Sequence, residues 1–70
     1  MPDLLYKIYR IRLLSQLKNG VWYPEALVLA DTSTGSIGTP IYDMQAYLMK
    51  DEADGRALTL AKAWVDKQKA

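Results

Sequence analysis

The sequence predicts an α+β fold, a three-stranded antiparallel sheet with one C-terminal helix packed on one face. Three observations predict it. Asn19-Gly20 lies between two apolar runs, which is the strongest short-range hairpin signal, because a type I′ turn needs positive φ at both central residues. A further segment, Ile37 to Met49, reads as a strand with Tyr42, Met44, Ala46 and Leu48 on its apolar parity. Finally, Ala53, Ala57, Leu60, Ala61 and Trp64 recur at the spacing of one helix face. One domain is expected over residues 1–70, with strands at about 5–17, 21–31 and 37–49 and a helix at about 51–67.

The first strand is rich in β-branched, aromatic and long apolar residues. Leu5, Ile8 and Arg12 also allow a helical reading, but the run leads straight into the Asn19-Gly20 turn, so a strand is preferred. That turn fixes a register in which Lys18 faces Val21, Leu13 faces Ala26 and Ile11 faces Val28. One face then holds Tyr9, Ile11, Leu13, Trp22, Ala26 and Val28. The other holds Ile8, Arg10, Arg12, Leu14, Tyr23, Glu25, Leu27 and Leu29. The uncharged face is the expected core, with Trp64 packed on Tyr9, Ile11 and Val28. Pro24 falls in a non-hydrogen-bonded pair with Ser15, so pairing of strands 2 and 3 is expected to fail near it. Asp31 to Ser36 reads as a polar loop, and strand 3 is broken near its start by Gly38 and Pro40. Asp51 is the expected helix cap, with acidic residues in the first turn and Lys67 and Lys69 in the last, complementing the macrodipole.

Composition narrows the function. The 70 residues contain no cysteine and no histidine. Disulfides, thiolate metal sites and the commonest general base and zinc ligand are therefore excluded. The net charge is +1, which argues against a strongly electrostatic nucleic-acid binder. No apolar run is long enough to span a membrane and no signal-peptide core is present, so a cytoplasmic protein is expected.

Two phrases look familiar, Lys18-Asn19-Gly20-Val21-Trp22-Tyr23 and Ala61-Lys62-Ala63-Trp64-Val65-Asp66-Lys67-Gln68. Together they resemble small uncharacterised bacterial β-β-β-α domains, similar in topology to a double-stranded-RNA-binding domain lacking its first helix. The resemblance implies a fold and no activity. The RNA-binding family has a basic cluster at the start of its last helix, where this chain has Lys50-Asp51-Glu52-Ala53-Asp54.

Candidate chemistry is sparse. Asp51, Glu52 and Asp54 read as first-turn helix charge rather than a cation site. Thr32 to Gly38 lacks the lysine and following hydroxyl of a phosphate loop. No catalytic, cofactor-binding or metal-binding residue is expected. The outward sheet face asks for more, because one helix can cover only one face and a contiguous apolar patch marks an interface. Ile8, Arg10, Arg12, Leu14, Tyr23, Leu27 and Leu29 form the candidate interface. Arg12 lies diagonal to Glu25 and is expected to pair with it. The sequence therefore points to a non-enzymatic interaction or structural module, a homodimer or the binder of a protein partner. The alternative is a nucleic-acid binder using Arg10, Arg12, Lys18 and Tyr23.

Overall fold

The computed structural model describes residues 3–68. Its elements run β1 (Leu4–Tyr6), β2 (Tyr9–Leu13), β3 (Gln16–Lys18), β4 (Val21–Tyr23), β5 (Glu25–Thr32), β6 (Gly35–Tyr42) and α1 (Lys50–Lys67). The fold is α+β with antiparallel sheets and one C-terminal helix. In place of one three-stranded sheet it has a four-stranded sheet in the order β1-β2-β5-β6 and a two-stranded ribbon, β3-β4.

The register set by Asn19-Gly20 is the one expected. Asn19 and Gly20 take φ of +52° and +81°, and Lys18 pairs with Val21. Beyond a break at Leu14 and Ser15, the same register continues through Leu13↔Ala26, Ile11↔Val28 and Tyr9↔Ala30. The expected second strand, 21–31, is divided at Pro24 into β4 and β5. Pro24 also explains where β6 stops. Its carbonyl accepts a hydrogen bond from the Asp43 amide at 3.3 Å, but it has no N–H to return. The β5–β6 ladder ends beside it at Glu25↔Tyr42.

Three segments depart from the sequence reading. The expected first strand, 5–17, is three strands, because Lys7 and Ile8 form a turn that lets β1 fold back on β2, with Tyr6 opposite Tyr9. Lys7 takes φ +56° there, a conformation costly for a residue with a Cβ. The expected loop at Asp31 to Ser36 is a tight turn at Ser33-Thr34, and the strands run on to Thr32↔Gly35. The Thr32 hydroxyl closes that turn, donating to the Gly35 carbonyl at 2.7 Å. The expected third strand, 37–49, covers only 35–42 as regular structure. Past it, the Trp22 and Tyr47 backbones exchange two bonds as an isolated bridge.

Helix α1 begins one residue earlier than expected. Met49 is its N-cap residue, and no side chain caps it. Asp51 is therefore a first-turn charge rather than the cap. Ala53, Ala57, Ala61 and Val65 are its buried residues. The three alanines bring the helix backbone close to the sheet, where Ala57, Ala61 and Val65 pack with Ile11, Ala26 and Val28. Trp64 flanks that cluster half-buried, its ring edge-on to Tyr9 with centroids 5.8 Å apart. A polar clamp ties the β1–β2 turn to the end of the helix. Asp66 accepts from Lys7 Nζ at 2.7 Å and from the Tyr6 hydroxyl at 3.0 Å, and Lys62 lies over the Tyr6 ring.

Candidate functional site

Strand alternation puts Leu5, Arg10, Arg12, Leu27, Leu29, Gly38 and Pro40 on the sheet face opposite α1. Leu27 and Leu29 stand half-buried at its centre. Their neighbour Gly38 leaves them room: a Cβ there would lie 3.2 Å from Leu27 Cδ1 and 3.4 Å from Leu29 Cδ2. Pro40, opposite Leu27 on β6, extends the apolar surface. Leu5 on β1 and Leu14 past the end of β2 are exposed beside it. Among the described residues, no helix or strand covers this face.

The two arginines on the face are bound within the chain. Arg12 grips Asp3 with two nitrogens, Nε to Oδ1 at 2.9 Å and Nη2 to Oδ2 at 3.2 Å. Arg10 reaches Asp3 Oδ2 at 3.2 Å with Nη1 and Asp31 Oδ1 at 2.8 Å with Nη2. Ser36 donates to the same Asp31 oxygen at 2.9 Å. These contacts hold both carboxyls below the usual aspartate range. For Asp3 the main cause is the hydrogen bond from Arg12; for Asp31 it is the Ser36 hydroxyl, followed by Arg10. Arg12 is shifted upward in turn by its bond to Asp3. Two cations thus meet two anions, and the network is neutral. Fork-to-carboxylate bonds of this kind fix side chains in place as well as cancelling charge.

The expected interface residues are only partly gathered. Arg10, Arg12, Leu27 and Leu29 share the face, and Leu14 lies at its ribbon end. Ile8 does not join them: it sits in the β1–β2 turn, 80 % exposed. Tyr23 and Lys18 lie on the ribbon, where they line a cleft of about 330 Å³ with Gln16, Glu25, Tyr42 and Asp43. The expected Arg12–Glu25 pair does not form. Asp3, brought alongside Arg12 by the β1–β2 turn, takes Arg12, while Glu25 accepts from Gln16 Nε2 at 2.7 Å. Asp3, Asp31, Ser36, Gly38 and Pro40 also belong to this face, and none of them was among the interface residues expected from the sequence. For Asp3, the concealing feature was the Lys7-Ile8 turn, which has no glycine, asparagine or proline to announce it. Gly38 and Pro40 were legible as strand-breaking residues, but their partners depended on the tight Ser33-Thr34 turn.

Asp51 and Glu52 are exposed in the first turn of α1, and Asp54 pairs with Lys50 at 2.7 Å. Among the described residues, no three potential metal ligands come together, and no helix is long and apolar enough to cross a membrane. No protein-family model, curated protein or solved structure matches the chain.

Proposed function

We propose that the chain is a non-enzymatic interaction module that self-associates through the sheet face opposite α1. The observation that carries this reading is the neutralised arginine network beside an uncovered Leu27–Leu29 centre. A face built to grip phosphate keeps its guanidinium groups free, whereas here Arg10 and Arg12 already hold Asp3 and Asp31. What such a face offers is apolar area on β5 and β6 alongside a charge-balanced network on β2, a surface that a protein can cover without stranding an unpaired charge. A second copy is the occupant that fits. A two-fold contact sets the same patch against itself, so leucine meets apolar surface and a neutral network need not repel its own image. Each Å² of apolar surface removed from water contributes about 25 cal/mol before the costs of association. A chain of this length gains most from a shared core.

The test is the molar mass by light scattering across a wide dilution range. Leu27→Asp places a charge at the patch centre, where an unpaired buried charge is costly on both sides of a symmetric contact. The variant is expected to lower the mass that the parent chain shows at high micromolar concentration, raising the dissociation constant of this contact roughly tenfold or more. Lys67→Asp, on the last turn of the helix, is expected to leave it unchanged. A parent chain that stays monomeric at high micromolar concentration contradicts the reading, as does an assembly indifferent to Leu27→Asp.

A further inference from the structure

We infer that the free edge of β6 is a second contact between copies of this chain, formed by antiparallel β6–β6 pairing about Ile37. It is a different surface from the face proposed above and does not depend on that reading.

The two edges of the four-stranded sheet are unlike. β1 is three residues long, with Asp3 before it and Lys7 after it, which is how a sheet edge is ordinarily blunted. β6 spans eight residues, Gly35-Ser36-Ile37-Gly38-Thr39-Pro40-Ile41-Tyr42. None of them is charged, and among the described residues no strand pairs with its far edge. Ile37 on that strand is 61 % exposed. A long, uncharged edge is a template for another strand.

The backbone selects how that strand pairs. The Asp43 amide bonds to Pro24, and the Leu14 amide bonds to Glu25. Even-numbered residues of β5 therefore exchange hydrogen bonds with β6, and odd-numbered ones turn toward β2. With Leu27 opposite Pro40 and Leu29 opposite Gly38, the β6 groups directed away from the sheet belong to Ser36, Gly38, Pro40 and Tyr42. Pro40 has no N–H to offer, so a two-fold centred on Thr39 or Pro40 leaves acceptors without donors. A two-fold centred on Ile37 avoids this. Ser36 then pairs with the partner's Gly38, and Gly38 with the partner's Ser36, giving about four backbone hydrogen bonds. Pro40 stays outside the ladder and stops the register from sliding. Ile37 meets its own copy in a non-hydrogen-bonded pair, where Cα atoms approach to about 4.5 Å. The two four-stranded sheets become one sheet of eight.

Cysteine cross-linking tests this directly, because the chain has no cysteine of its own. Ile37→Cys puts two thiols within disulfide reach across the two-fold, whereas Tyr42→Cys, exposed at the far end of the strand, puts them well beyond the roughly 7 Å limit. Under mild oxidation at low micromolar concentration, Ile37→Cys is expected to give mainly covalent dimer and Tyr42→Cys little. Adding Leu27→Asp, which disables the face contact, is expected to leave the Ile37→Cys dimer in place. Ile37→Lys sets like charges opposite each other and is expected to remove the mass contribution of the edge while the monomer stays folded by circular dichroism. Failure of Ile37→Cys to cross-link in either background overturns the edge contact, as does equal cross-linking by Tyr42→Cys.

Discussion

At the scale of single residues, one carboxylate joins the two ends of the fold. Asp66 near the end of α1 holds both Lys7 and Tyr6 of the β1–β2 turn, and its acidity records that contact. Lys7 above all, and then Tyr6, keep the Asp66 carboxyl below the usual range. The stability it contributes is therefore fully present above about pH 4, the unfolded value, and is lost as pH falls through its lower folded value. Lys7 and Tyr6 are both shifted upward, each chiefly by the hydrogen bond to Asp66. Their contribution is fully present below about pH 10 and is lost as pH rises through their folded values. The urea midpoint is thus expected to stay flat from about pH 5 to 9 and to fall outside that window at both ends. Asp66→Asn is expected to lower the plateau modestly and soften both flanks, as suits a contact that remains partly exposed. A variant that keeps the parent's pH profile speaks against the clamp.

At the scale of elements, the parts set by short-range chemistry were legible in the sequence. Asn19-Gly20 gave the register of the long hairpin as far as Tyr9↔Ala30, because the turn conformation admits one pairing and the side-chain alternation agrees with it. The helix followed from its alanine stripe, although Val65, buried at the core, fell outside the stripe read from the sequence. Lys7-Ile8 was not legible. Its left-handed Lys7 is held by the long-range bond to Asp66 rather than by a turn-forming residue. The same blind spot hid Asp3, and with it the reason Arg10 and Arg12 are neutralised. The alanine stripe carries a prediction of its own. Ala57 is fully buried between α1 and the sheet, so Ala57→Leu forces the layers apart and is expected to cost about 1–3 kcal/mol. Ala63→Leu, exposed on the same helix, is expected to cost little. The difference between the two urea midpoints measures how closely the helix is seated.

At the scale of the whole molecule, one helix covers one side of a four-stranded sheet, and among the described residues no helix or strand covers the other, where a neutral arginine network stands beside two central leucines. This arrangement bears on nucleic acid as well as protein. Duplex DNA or RNA is expected to bind weakly, with affinity falling steeply as salt rises. Arg10→Ala and Arg12→Ala are expected to change that binding little, since both side chains are engaged within the chain. Submicromolar binding that persists at high salt and disappears with these substitutions would assign the face to phosphate instead. The most direct measurement is an isotope-filtered nuclear Overhauser experiment on a mixture of labelled and unlabelled chains at high micromolar concentration. It reports only contacts between copies. Intermolecular signals are expected from the Leu27 and Leu29 methyl groups to Leu5, Leu14 or Pro40 of the other copy. An associated sample whose Leu27 and Leu29 methyl groups show no intermolecular signal would contradict it.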